Sequence, residues 1–438
     1  MGPGPTRRPA FDLTDLDVWE RRVPYEAFAR LRHEAPVAWF DEDLPHHGFW
    51  SVHRYADIVE ISRDTARFSS ATGVSFEEPS PEDMEARRTI IDMDPPRHTK
   101  LRKVLAPSFT PRAVAVYEHF VRALTNAALD AALPLGEFDF VHHVAKQVPI
   151  RVLARIMGLP EEQLDELIDV GDKLIANTDP ELTDVVWGRD DTDPYRRYPF
   201  RSPYGKQLWD MGRELVKARM VYPTDDLLSR VVAADIDGER MSEVDLDNFF
   251  SILVIAGNET TRIALAQGIL AFCEHPDQWD RLRADPGLLN AATEEVLRWS
   301  CPTHFMRRTV AEDATIQGAD MHVGDKVVLW YVSGNRDEEV FTDPDRFDVA
   351  RAPNPHLSFG RGGPHMCLGA HLARLEVRVV LDELCRRVSR FELAGDPART
   401  RTNFTNGLKR LPVSVQLAKG SPPVRPVHPV RSTAGGSP

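Results

Sequence analysis

Ser358-Phe359-Gly360-Arg361-Gly362-Gly363-Pro364-His365-Met366-Cys367-Leu368-Gly369, the run SFGRGGPHMCLG, decides how this 438-residue chain is read. Glycines at 360, 362 and 363 let the backbone turn tightly, and Pro364 stiffens the exit. Cys367 then stands just before a stretch, Leu368 to Arg387, whose apolar spacing predicts a long helix. A thiol placed there meets backbone N–H groups and the positive end of the helix, which favour the thiolate and metal binding. A lone cysteine in a glycine-rich turn is more often a small apolar core residue. The rest of the chain has to decide between the two.

Upstream, Ala256-Gly257-Asn258-Glu259-Thr260-Thr261 interrupts an apolar helical stretch. Burying an acid and alcohols there costs free energy unless they are paired or useful. Gly257 and Thr260 together suggest a local opening of the backbone ladder beside Glu259, a route for protons. A kinked core helix with a surface Glu259 fits the same letters equally well. Glu295 and Arg298 are spaced to pair on one helix face. The same spacing recurs at Glu60, Glu85, Glu259 and Glu383, but only the pair at Glu295 lies between the Thr260 helix and Cys367 and is followed by Arg346 in a Pro-Asp-Arg-Phe loop. His98 and Arg102, one turn apart after Pro95 and Pro96, share a face that could clamp a carboxylate; an exposed basic helix is the plainer reading of that segment alone.

The frame around these motifs is mainly α with small β-sheets. Helical periodicity runs over Ala113 to Ala132, Glu161 to Leu174 and Ala291 to Trp299. Strand signals are short: Gly48 to Val52, Lys326 to Tyr331, and a late pair around Asn406–Gly407. Trp187 to Tyr204 reads as a long loop between helices and a candidate lid. One large domain over 11–418 is expected, with disordered tails at 1–10 and 419–438, the latter rich in Pro, Gly and Ser. A net charge of −13 argues against general nucleic-acid binding. No signal-peptide pattern is read at the start, and the apolar run Asn248 to Asn258 is too short to span a membrane. Four cysteines without CxxC spacing do not suggest a disulfide scaffold, so a cytoplasmic protein is expected.

Taken in order, the motifs resemble the signature set of the cytochrome P-450 family, over roughly Phe11 to Leu417. The resemblance implies that family's fold, a single large domain enclosing haem b (iron protoporphyrin IX), with Cys367 as the iron's thiolate ligand. Phe359, Ala256 and Gly257 match haem-contacting positions, and His98, Arg102, Arg308 and His365 match positions that meet the propionates. Glu259 and Thr260 match the acid and alcohol that deliver protons; Glu295, Arg298 and Arg346 match a structural triad. Ile252, Ala256, His304 and Phe404 match positions near the substrate, although each also suits an ordinary core and a lone histidine is more often structural.

The implied activity is insertion of one oxygen atom from O₂ into a C–H bond of a small hydrophobic substrate. No dinucleotide fingerprint is present, so NAD(P)H would act indirectly, through a ferredoxin reductase and a ferredoxin. Arg97, Lys100, Arg102 and Lys103 are the candidate docking cations, unless Arg102 is spent on haem. From Phe359 to Cys367 is eight steps where the family commonly has seven. A similar longer loop occurs in the branch that hydroxylates cholesterol side chains and methyl-branched lipids. The chain also resembles that branch at FDLTDLDVW, MDPPRHTKLRKVLAPSFTPR, AGNETTR, EHPDQW and NRDEEVF. A steroid or branched lipid is therefore the expected substrate. The alternatives are tailoring of a polyketide, terpenoid or peptide and, from another class, a haem protein that binds a ligand without oxygenating it.

Overall fold

The computed structural model describes residues 12–42, 48–236 and 238–420. The expected tail at 1–10, and that at 419–438 from residue 421 on, lie outside the described residues. Two cores organise the rest. One is built from helices and holds Leu105, Val148, Val254 and Leu384; the other lies against the main sheet and holds Trp19, Phe28, Val327 and Trp330.

The main sheet has five strands in the order Val37–Phe40, Phe49–Val52, Lys326–Trp330, Phe305–Val310, Phe68–Ser69. Lys326–Trp330 is all buried, as a strand between two partners should be. It runs parallel to Phe49–Val52, with Val327 opposite Trp50, and antiparallel to Phe305–Val310, with Val327 opposite Arg308. The two predicted strands are thus real and adjacent, though far apart in sequence. The late pair is also present, Ala398–Arg399 against Leu408–Arg410, with Asn406–Gly407 in the connection.

The central element is a 32-residue helix, Glu243–Glu274. It starts at a capping box in which Ser242 and Asp245 satisfy each other's backbone N–H groups. It is long and apolar enough to cross a membrane, but 72% of its apolar stretch is buried inside the protein, which makes it a core helix. Helix Ala370–Arg387 follows the cysteine as expected, and Leu289–Ser300 carries the Glu295–Arg298 pair. The predicted helix Ala113 to Ala132 is two: Pro111–Ala115, capped by Thr110, and Glu118–Ala132. The segment Trp187 to Tyr204 mostly connects helices Leu164–Ile175 and Pro203–Val221, with Pro203 and Tyr204 already helical. It is tied to helix Pro81–Ala86 by Arg196, 3.3 Å from Asp83, and by Arg197 to Glu82.

Candidate active site

The cysteine loop owes its path to its glycines. Gly360 and Gly362 have φ of 67° and 90°, where side chains are strained. A Cβ at Gly363 would strike the Ser62 carbonyl at the end of helix Tyr55–Arg63. The turn closes where the Cys367 N–H donates to the Phe359 carbonyl, 2.7 Å. Arg102 ties it down by donating to the Met366 carbonyl, 2.6 Å. The Cys367 side chain keeps accessible surface. Burial pushes its thiol up, against the Gly369 N–H and the charges of Arg102 and Arg374. The loop N–H and the two arginines thus work against burial to ionise this thiol. A coordinated metal ion would ionise it outright, since its charge outweighs these local effects.

Around the loop stand polar groups without partners. His98 and Arg308 are buried, and the rings of His98 and His365 lie 4.3 Å apart. His98 Nδ1, Arg308 Nε and His365 Nε2 are all buried and find no hydrogen-bond partner among the described residues. Burial pushes His365 down to about 3 and lowers His98 as well. Each such orphan costs about 1–3 kcal/mol. Three on separate segments beside one thiol fit a group that brings both a metal and carboxylates. Haem, with its two propionates, is such a group. Among the described residues no cluster of three His, Cys, Asp or Glu side chains offers an alternative metal cage.

The central helix passes Ala256 with its side chain exposed, in a stretch otherwise buried or part-buried. Gly257 serves close packing, because a Cβ there would press on Leu153 at 3.2 Å. The expected opening of the ladder is not seen: the helix is unbroken, and Thr260 Oγ1 donates to the Ala256 carbonyl at 2.9 Å. Glu259 is buried, not a surface acid, and is paired with Arg262. Arg262 also holds Asp172, and Asp172 holds Lys146. Burial raises Glu259, helped by the charge of Asp172 and opposed by Arg262 and Lys146.

Of the candidate substrate residues, His304 and Phe404 lie together, the His304 backbone N–H donating to the Phe404 carbonyl at 2.9 Å. Ile252 lines a narrow gap with Met93, Leu101 and Phe249. Phe404 is part-buried, its ring 5.3 Å from that of Phe305. His304 is wholly buried; its ring packs on Trp19 at 4.7 Å and its Nδ1 lies 3.1 Å from the Asn403 carbonyl. Its Nε2 is buried and has no hydrogen-bond partner among the described residues.

The triad expectation needs one correction. Arg298 makes two 2.8 Å contacts with the buried Glu295 carboxylate, as the spacing predicts. The second arginine is Arg351, whose Nε lies 3.1 Å from Glu295 Oε2, and not Arg346. Arg346 takes part through its backbone, its carbonyl accepting from Arg298 and Arg351 and its N–H donating to the Asp343 carbonyl, while its side chain is exposed. Sequence reading also passed over Arg262, Asp172 and Lys146. The Glu259–Arg262 spacing was visible, but Asp172 lies 90 positions before Arg262 and has no motif to mark it.

Comparison with known proteins gives the family. The family model for cytochrome P-450 matches residues 13–417. The chain is 38% identical to the methyl-branched lipid omega-hydroxylase of Mycobacterium tuberculosis (strain ATCC 25618 / H37Rv), over 92% of this chain and 94% of that protein. It is 35% identical to the steroid C26-monooxygenase of Rhodococcus jostii (strain RHA1), over 95% and 87%. The fold superposes on a Mycobacterium marinum cytochrome P-450 solved with pseudoionone, with a TM-score of 0.86, 36% identity, and coverage of 94% of this chain and all of that one. A thiol on a glycine-built loop, orphan donors for carboxylates and a whole-chain match have one common explanation: the chain belongs to the cytochrome P-450 family of haem-thiolate monooxygenases.

Proposed function

We propose that this monooxygenase hydroxylates a branched lipid or a steroid, an apolar substrate whose reacting carbon is an unactivated C–H. The likeness to a methyl-branched lipid omega-hydroxylase and to a steroid C26-monooxygenase supports that substrate class. The observation that carries the site is the meeting of Cys367 with the unpartnered donors of His98, Arg308 and His365.

Haem b, when bound, supplies the activation of O₂ with electrons from outside. Cys367 Sγ would hold its iron. His98, Arg308 and His365 would receive the propionates, and Arg102, already fixed on the loop, would add positive charge beside them. Ala256, exposed on the central helix, would leave room on the substrate side, and Ile252 and Phe404 would supply apolar walls. Thr260 Oγ1 would hold a proton at the helix, with Glu259 replenishing it through water. Electrons would come from NAD(P)H through a reductase and a ferredoxin. Lys100 and Lys103 are exposed on the helix that also carries Arg102, so an acidic partner could approach that helix.

A spectral titration of the ferric holoprotein tests the substrate class. A sterol ketone, a methyl-branched fatty acid and a polar macrolide would be added in parallel. Saturable low- to high-spin conversion by the sterol or the branched acid, and none by the macrolide, is expected. Conversion by the macrolide alone would move the chain to the tailoring of secondary metabolites.

A further inference from the structure

The acid on the central helix does not own its arginine. Arg262 splits its guanidinium between two carboxylates: Nη2 goes to Glu259 and Nη1 to Asp172. The other oxygen of Asp172 receives Lys146 Nζ. The four side chains form one chain of alternating charge from the protein's edge inward. Their side-chain exposures fall in order: Lys146 25%, Asp172 14%, Arg262 10%, Glu259 5%. Three different segments supply them. Lys146 follows the π-helical turn Val141–Ala145, Asp172 lies on helix Leu164–Ile175, and Glu259 and Arg262 lie on the central helix.

A buried arginine facing one carboxylate normally takes it with two parallel bonds. A carboxylate so held is fixed in place and in its charged state, a poor carrier of protons. Here the second carboxylate draws off one arm. The two acids are also driven apart. Burial alone would raise Asp172, but Arg262 and Lys146 outweigh it and hold it low; burial and the charge of Asp172 together hold Glu259 high. Acids whose surroundings separate them in this way divide their roles, one as fixed charge and one as proton carrier.

We propose that Asp172 is a positioning residue for Glu259: by holding Arg262 from the far side, it leaves the Glu259 carboxylate half-claimed and able to take up and release a proton. Lys146 takes the other oxygen of Asp172 and so shares it with Arg262. Asp172 lies four residues before the long connection at 176–202 begins, so the ion pairs tie the end of helix Leu164–Ile175 to the central one. This inference rests on the proton-handling reading of Glu259 given above.

The test is a pH titration of the ferric holoprotein followed by infrared difference spectroscopy. The Glu259 carboxyl band is identified by its loss in Glu259→Gln. In Asp172→Asn that band should titrate about one pH unit lower than in the parent, because Arg262 then belongs to Glu259 alone. In Lys146→Met it should titrate higher, because positive charge is removed and Asp172 competes harder for Arg262. Lys146 is the most exposed of the four, so this variant keeps the test open if Asp172→Asn folds poorly. Opposite shifts support the proposal; a Glu259 band unmoved by both variants, or moved the same way by both, overturns it. The underlying reading fails separately: if Glu259→Gln kept product formation fully coupled to electron consumption, Glu259 would not carry protons, whatever the titrations showed.

Discussion

His53 sits between Phe28 and Phe40 with no exposed surface, and neither of its ring nitrogens has a partner among the described residues. Burial, with the nearby charge of Arg32, pushes it down to about 3. His304 reaches a similar value, about 3, through burial and then the charge of Arg399. Both are therefore neutral in the folded chain across the working pH range. Below pH 6.5 the unfolded chain takes up protons that the folded chain refuses. Stability is then lost as pH falls from 6.5 toward 3, at up to about 1.4 kcal/mol per pH unit for each histidine. Replacing His53 by leucine removes one of these protons. The fall in unfolding free energy between about pH 6.5 and pH 5 should shrink by roughly 2 kcal/mol, read from denaturant curves at the two pH values. An unchanged acid limb would mean that His53 is protonated in the folded chain.

The loop at 342–351, which packs on helix Leu289–Ser300 through Glu295, can be tested where the sequence reading misassigned it. Glu295 receives Arg298, Arg351, the Asp348 N–H and Asn354 Nδ2, so its charge is fully answered. Arg351 also donates to the carbonyls of Thr342, Asp343 and Arg346 and so sets the loop's shape. Arg351→Ala should cost roughly 3–5 kcal/mol, the usual loss on breaking a buried pair. Arg346→Ala should stay within about 0.5 kcal/mol, because only its backbone is used. Equal losses in chemical denaturation would restore Arg346 to the triad. The two cases show where legibility ends. Spacing on a helix dictates which side chains can meet, so Glu295 with Arg298 was readable. Two arginines five residues apart in a loop are told apart only by the loop's path. For the same reason the cysteine loop was legible from its glycines, while Arg262 with Asp172 depended on packing between helices. The break between Ala115 and Glu118 and the unbroken run at Gly257 were likewise settled by packing and caps, which periodicity does not record.

The molecule as a whole has two cores, and the cysteine loop is a place where they meet. His98 lies on the helix that gives Leu105 to the helical core; Arg308 lies on a strand of the sheet that bounds the other. The cysteine loop reaches both, since Leu357 belongs to the sheet core and Phe359 packs on the helical one. The unpartnered donors thus come from both sides of this junction. Haem held there would bind the two halves together through its propionates and through Cys367. A group that binds only the folded chain adds about 4 kcal/mol when present at about a thousand times its dissociation constant. The holoprotein should therefore melt in one transition by calorimetry. After haem extraction the junction keeps its buried orphans and loses its bridge. The apoprotein should melt at lower temperature and in two resolved steps. Hydrogen exchange should rise first in helix Arg97–Leu105 and in the loop at 358–369, while strand Lys326–Trp330 stays protected by its two neighbours. A single transition of unchanged width in the apoprotein would show that direct contacts between the cores, and not the haem, make the fold cooperative.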